Sequence, residues 1–221
     1  MRQKVILSIG LIGIVSILNA QISTDTELWT GGTFELRLNK KFRVDLKEQF
    51  RLNDTISSMK STFTEIGLRY KIDKHFAVKG SYRFTIKPTK DNRSRLSLDA
   101  YYNWSKKKFP LAIQYRLRFQ DTKESNTGSK FTYLRNKITV DYNLTKIVDP
   151  FLSYERYYRF NQKNEFRVWR FTAGLDWRLA KKIDLTTFYR YQKEINVKNP
   201  GAQHIIGIML TYGAKIKTKK Q

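Results

Sequence analysis

Leu111-Ala112-Ile113-Gln114-Tyr115-Arg116-Leu117-Arg118-Phe119-Gln120-Asp121 alternates without a break. Leu111, Ile113, Tyr115, Leu117 and Phe119 fall on one face of an extended chain, and Ala112, Gln114, Arg116, Arg118 and Gln120 on the other. Successive side chains of a strand point to opposite sides, so this is a strand with one apolar and one polar face. Phe76 to Lys87 separates in the same way, with Phe76, Val78, Tyr82, Phe84 and Ile86 opposite Lys79, Ser81, Arg83, Thr85 and Lys87. Reading outward from these two, eleven such runs begin near Leu28, Phe42, Lys60, Phe76, Ser94, Leu111, Phe131, Phe151, Phe166, Ile183 and His204. Pro88, Pro110, Pro150 and Pro200 stay out of their interiors, as ladder hydrogen bonding requires.

Among its 221 residues the chain carries 43 Lys+Arg against 19 Asp+Glu, a formal charge of +24, and no cysteine. The missing cysteines exclude disulfide scaffolds, thiolate metal sites and cysteine nucleophiles. No uncharged apolar run reaches the roughly 18 to 20 residues of a spanning helix. A basic excess of this size ordinarily points to nucleic acid or anionic lipid. The first twenty residues decide between them. Arg2 and Lys4 precede an uncharged, mostly apolar stretch from Val5 to Leu18, and Asn19-Ala20-Gln21 ends it. This is the layout of a secretory signal peptide over residues 1–20, cut after Ala20. The exported domain is then 21–221, and nucleic acid is not expected as a partner.

Two solvents produce one-sided strands: the core of a soluble sandwich or barrel, or hydrocarbon outside a membrane barrel. The runs are mostly longer than the 5 to 6 residues typical of soluble strands. Tight links at Asn39 to Lys41, Asp73 to His75 and Ala180 to Lys182 alternate with segments read as longer loops, Asn53 to Met59, Pro88 to Arg93, Thr122 to Lys130 and Glu194 to Gln203. Aromatic residues collect at both ends of the apolar faces, as the girdles of outer-membrane barrels do. Lysines mark the tight-link rim, at Lys40-Lys41, Lys74, Lys106-Lys107-Lys108, Lys146 and Lys181-Lys182, and in the tail from Lys215 to Lys220. The expected fold is an all-β, antiparallel up-and-down transmembrane barrel of about 10 to 12 strands. Twelve is the best reading, because such barrels are usually even-numbered; a first strand within Gln21 to Leu28, turning near Gly31-Gly32, supplies the twelfth.

With the polar face inward, the lumen is crowded and positive. Arg51, Arg83, Arg116, Arg118, Arg135, Arg170 and Arg190 lie along it with further bases that include Lys47, Arg95 and Lys137, against the acids Glu35, Asp45, Glu65, Asp99, Asp141, Glu155, Asp176 and Asp184. Most acids are expected in Arg–carboxylate networks, and the surplus bases favour anions along any passage. Glu48, Asn136 and Arg156 break the pattern by falling on the lipid face, where they mark a contact with another protein or a lipid head group, or else a local bulge. Chemistry is scarce: the histidines are His75, in a tight link, and His204, at the head of the last run. No catalytic residue, metal site or cofactor is expected.

Glu27-Leu28-Trp29-Thr30, Leu36-Arg37-Leu38-Asn39-Lys40-Lys41-Phe42, Glu48-Gln49-Phe50-Arg51, Gly67-Leu68-Arg69-Tyr70-Lys71 and Gly80-Ser81-Tyr82-Arg83-Phe84 resemble an uncharacterised family of small Gram-negative outer-membrane β-barrels, known as a domain of unknown function. The likeness covers nearly the whole exported chain. It implies an outer-membrane location and supplies no catalytic residues. Three functional readings follow. The first is a non-enzymatic accessory or scaffold subunit of an outer-membrane complex, with membrane lipid and other outer-membrane proteins as partners. The second is a narrow anion-favouring channel. The third, a lipid-modifying enzyme, requires His204 to act. Mass spectrometry of the protein exported by a Gram-negative host is expected to place the mature N-terminus at Gln21.

Overall fold

The computed structural model describes residues 23–88, 90–105, 109–161 and 163–216. The signal peptide expected at 1–20 lies outside them, as do Lys106 to Lys108 and the tail lysines 217, 219 and 220. Eleven strands make up the described chain: β1 (Ser23–Arg37), β2 (Phe42–Asn53), β3 (Ser58–Lys71), β4 (Phe76–Ile86), β5 (Arg93–Ser105), β6 (Leu111–Glu124), β7 (Lys130–Tyr142), β8 (Val148–Arg159), β9 (Glu165–Ala180), β10 (Ile183–Glu194) and β11 (Gly201–Lys215). They form one closed barrel in which each strand pairs with its sequence neighbours and β1 closes against β11. At about 3.3 Å per residue, even the 11-residue β4 is long enough to cross a hydrocarbon layer roughly 30 Å thick.

Two expectations are corrected here. The barrel has eleven strands, not twelve. Residues 23–37 form a single strand, with Gly31 and Gly32 in its interior instead of at a turn. β1 pairs with β11 in parallel from Ser23↔Gly201 to Arg37↔Lys215, and antiparallel with β2 from Leu28↔Leu52 to Arg37↔Arg43. A hairpin at the glycines would have left fragments too short to span the wall. An uninterrupted strand satisfies both neighbours, and an odd count is closed by one parallel seam. The expected contrast in link length is also small. Links 38–41, 72–75 and 143–147 span four or five residues and 181–182 two, against four to six for 54–57, 125–129 and 195–200, because strands run into the stretches read as loops: β3 starts at Ser58 and β6 continues to Glu124.

Three links on one rim share a local device. In Asn39-Lys40-Lys41-Phe42 the Asn39 side-chain oxygen accepts from the backbone N–H groups of Lys41 and Phe42, both at 2.8 Å. Asp73 accepts from His75 at 2.6 Å and Phe76 at 2.7 Å, and Thr145 Oγ1 from Ile147 at 3.1 Å and Val148 at 2.9 Å. A short side-chain acceptor two to three residues before the next strand thus fixes each turn. These two backbone donors hold the Asp73 carboxyl below the usual carboxylate range.

The apolar face points outward. Leu96 and Leu98 are 64% and 61% exposed, and Ile66, Leu46, Leu152 and Phe171 stand out with them. So continuous an apolar wall belongs in hydrocarbon, not in water. Aromatic pairs lie toward both rims. Phe42–Tyr70 (4.9 Å) and Phe76–Tyr102 (5.1 Å) sit beside the Asn39 and Asp73 turns, and Tyr158–Phe166 (5.3 Å) and Trp169–Tyr191 (5.2 Å) toward the opposite rim.

Gly31 is required where it stands, since a Cβ would collide with the Glu48 carbonyl oxygen and come within 2.8 Å of the Gln49 Cα. Gly31→Val is expected to cost more than about 2 kcal/mol in urea unfolding of the detergent-refolded barrel. Gly80→Ala, whose Cβ would meet nothing within 4 Å, should change it by less than about 0.5 kcal/mol. The Asp73 carboxylate stabilises its turn above the ordinary aspartate pKa of about 3.9, and that contribution is lost as pH falls through the lowered native value. Asp73→Ala should accordingly speed amide exchange at His75 and Phe76 at neutral pH.

Candidate functional site

All seven arginines expected along the anion path, Arg51, Arg83, Arg116, Arg118, Arg135, Arg170 and Arg190, line one interior cavity of about 400 Å³. Period-two alternation puts them there, because each occupies the face opposite the exposed Leu, Ile and Phe of its strand. Twelve bases and four carboxylates line this space, the acids being Glu35, Asp45, Glu65 and Glu155.

The acids are spent on ion pairs. Glu155, on β8, accepts from Arg116 at 2.5 Å and Arg135 at 2.8 Å, with Arg170 at 3.6 Å. Asp45 holds Arg43 and Lys79, each at 2.8 Å, and Glu65 takes Arg83 at 2.6 Å. Behind the cavity wall Asp99, fully buried, receives two bonds from Arg118, Nε at 2.5 Å and Nη2 at 2.7 Å. This fork geometry is the strong form of the pair. Tyr101 adds a third donor at 3.1 Å.

Five lining bases have no carboxylate within 4 Å among the described residues: Lys47, Arg51, Arg95, Lys137 and Arg190. Arg95 and Arg190 donate to the hydroxyls of Thr122 (3.1 Å) and Thr172 (2.9 Å). Arg51 lies over aromatic faces instead, 4.0 Å from the Trp29 ring and 4.9 Å from Phe63, with its Nε buried and unbonded. Trp29 also receives Arg190 at 5.1 Å and Arg170 at 5.6 Å, Phe63 receives Arg83 at 3.7 Å, and Tyr157 receives Arg135 at 4.0 Å. Rings thus replace missing acids as neighbours for cations, with weaker attraction.

Arg43 also borders a second space of about 820 Å³, a vestibule at the Asn39 rim lined by Arg37, Lys40, Lys41, Arg69, Lys71, Lys74 and Lys215 with Asp73 as its acid. The positive cavity and the positive vestibule thus border on the same side chain, Arg43.

The aromatic platforms were not singled out from sequence, and neither were the inward acids Glu27 and Asp149. Glu27 is 1% exposed, accepts from Trp29 Nε1 at 2.7 Å and pairs with Lys60. Asp149 pairs with Arg178. Both lay just outside the runs as read: Glu27 precedes Leu28, and Pro150 separates Asp149 from Phe151. Parity carried one residue back from Leu28 and two back from Phe151 places both inside.

Glu48, Asn136 and Arg156 stand on the outer wall. Glu48 accepts from Thr64 at 2.6 Å and Thr62 at 3.3 Å, and Asn136 accepts from the Tyr115 hydroxyl at 2.5 Å. Arg156 lies 3.8 Å from the Phe166 ring. The β7–β8 ladder runs in register through Asn136↔Arg156, and the irregularity of β8 falls one residue later, between Tyr157 and Tyr158, against β9. His204 Nδ1 is 2.6 Å from the Tyr189 hydroxyl and its ring 5.2 Å from Tyr191, so it belongs to an aromatic cluster on the outer wall. His75 Nδ1 meets the Asn103 carbonyl at 2.8 Å.

A family profile described as "Protein of unknown function (DUF2490)" matches residues 26–202. No match is found among curated proteins. Among solved structures the chain is similar to the NanC porin, at 12% identity and a TM-score of 0.51 over 76% of this chain and 85% of that one. It is also similar to an anion-selective porin from Comamonas acidovorans, at 13% identity and a TM-score of 0.40 over 79% of this chain and 54% of that one. At such identities the likeness is one of fold alone.

Asp99→Ala, which strands a buried guanidinium, is expected to destabilise the detergent-refolded barrel by about 3 to 5 kcal/mol. The double change Asp99→Ala with Arg118→Met should recover most of that loss in the same unfolding measurement, because no unpaired charge then remains.

Proposed function

Because the chain belongs to the DUF2490 family, whose description states no activity, we propose from the lumen itself that it is a narrow, anion-favouring porin-like barrel of the outer membrane. The observation that carries this reading is the set of five cavity bases without a carboxylate partner, Lys47, Arg51, Arg95, Lys137 and Arg190, behind a mouth lined by further Lys and Arg. A confined space with fixed positive charge and low-dielectric walls raises the local concentration of anions and repels cations. With an interior cavity of only about 400 Å³, the passage admits small anions and excludes bulky ones. The alternating wall and the basic n-region ahead of it support export to the outer membrane.

The accessory-subunit reading rested partly on Arg156 facing lipid. With the Phe166 ring beneath its guanidinium at 3.8 Å, Arg156 has an aromatic neighbour on this chain, although its Nε is buried and unbonded, so its place on the lipid face does not by itself call for a protein partner. Glu48 and Asn136 likewise have hydroxyl partners on the same wall. The enzyme reading needs a nucleophile beside His204, whose near neighbours are the Tyr189 hydroxyl and the Tyr191 ring. A non-enzymatic barrel agrees better with that geometry.

In planar bilayers under a salt gradient, the refolded mature chain is expected to give small, steady conductances whose reversal potential favours chloride over potassium. Combined Lys47→Gln, Arg51→Gln and Arg190→Gln should bring that preference close to parity, whereas Arg116 and Arg118 are tied to Glu155 and Asp99 and are poorer probes. Silence, or cation preference in the unaltered protein, would overturn the channel and return the accessory subunit to first place.

A further inference from the structure

The wall carries a third space, on its outside. Across β6 to β11 a groove of about 850 Å³ opens toward hydrocarbon, with the small residues Ala173, Gly174, Thr187 and Gly207 among its lining and larger ones such as Leu152 and Ile206 beside them. Its volume lies within the range of roughly 300–1,000 Å³ that holds small-molecule ligands. On the outward face of these strands Ala173 and Thr187 are small, and on the inward face aromatic rings pack against glycines. Phe151, Gly174, Phe188 and Gly207 are register neighbours in one row across β8 to β11. The Phe151 ring lies 2.6 Å from where a Gly174 Cβ would be, and the Phe188 ring occupies the place of a Gly207 Cβ. Two inner rings thus lie flat on glycine backbone, while Ala173 and Thr187 leave the outer side low.

No charged side chain lines the groove. The hydroxyl of Thr187 accepts from Trp177 Nε1 at 3.1 Å, and that of Tyr189 is engaged by His204, so the interior offers little to a polar ligand. The rim below it differs. Lys146, in the link before β8, and Lys181 and Lys182, between β9 and β10, are exposed, and none has a carboxylate within 4 Å among the described residues. Arg178 beside them is engaged by Asp149 and, at 3.1 Å, by the Thr145 carbonyl. Lys182 precedes Thr187, and Lys146 precedes Pro150, by few enough residues that their backbone positions lie about 13 to 17 Å along the strands from the groove, with the long lysine side chains free to shorten that span.

An apolar trough ending at unpartnered ammonium groups fits an amphiphile with an anionic head. We propose that the groove seats a glycerophospholipid with an anionic headgroup, its acyl chains over Ala173 and Thr187 and its phosphate at Lys146, Lys181 and Lys182. A second copy of the chain is a poorer occupant, since a two-fold contact through this face would bring two lysine rims together. The inference shares with the proposed function only the bilayer setting and is independent of anion passage, so a silent barrel would leave it standing.

Native mass spectrometry of the delipidated full mature chain, offered equimolar dioleoyl phosphatidylglycerol and phosphatidylethanolamine, tests it without measuring conductance. One phosphatidylglycerol is expected to be retained at least tenfold over phosphatidylethanolamine. Each lysine contributes about fivefold to that preference, so combined Lys146→Gln, Lys181→Gln and Lys182→Gln should abolish it while adducts of both lipids persist. Ala173→Phe, which fills the groove, should remove both adducts. The lysine variant touches no packed side chain and keeps the test open if Ala173→Phe does not refold. Equal retention of the two lipids by the unaltered chain, a preference that survives loss of the lysines, or a dimer without lipid would overturn the proposal.

Discussion

In hydrocarbon there is no water to accept an unpaired backbone N–H, so the sheet of this protein has to close on itself. Everything else in the architecture is arranged around that requirement. Antiparallel pairing alone closes an even number of strands. With eleven, one pair must run parallel, and the seam between β1 and β11 accepts that role along fifteen registered pairs. Parallel ladders are slightly less stable per residue, which the length of the seam offsets. The seam also sends the start of β1 and the end of β11 to opposite rims. Gly31 serves the same closure from the other side of β1, where the β2 backbone approaches too closely for a side chain.

Closure creates the second problem, an interior that must be filled by whatever the inward parity supplies. Here it supplies many guanidinium groups and few carboxylates. The acids are shared, Glu155 most of all; of the remaining cations, Arg95 and Arg190 donate to threonine hydroxyls and Arg51 lies on the faces of Trp29 and Phe63. Buried charges are tolerable when paired and costly when stranded, so the ion pairs and the surplus bases have different meanings. The pairs hold the wall together. The surplus faces a cavity that shares Arg43 with a basic vestibule, and it is on this surplus that the proposed anion preference rests.

The same alternation shapes the outside. Where the outward positions are Ala173 and Thr187, opposite glycines covered by inner rings, the outer face is hollowed. Where the outer face carries Glu48, Asn136 and Arg156, threonines, a tyrosine and a phenylalanine on neighbouring strands take up their polarity. Fold likeness to porins agrees with this architecture and leaves solute and partner to the residues of this chain.

Strand positions, the faces of each strand and the inward placement of the seven arginines were legible in the sequence, because parity is a local property and hydrocarbon enforces it on every strand. The strand count was not: Gly31-Gly32 reads as a turn by composition, and only the presence of β11 along the whole of β1 makes it strand. Glu27 and Asp149 were missed at run edges for the same reason, since pairing extends strands beyond where alternation is visible. Which acid meets which arginine, which ring lies beneath which guanidinium, and where wall glycines line up into a groove depend on register between strands distant in sequence, as those of Arg116 and Glu155 and of Arg190 and Trp29 are. Alternation fixes which side of the sheet a residue faces; its neighbour there is set by how the sheet closes, and closure is a property of all eleven strands together.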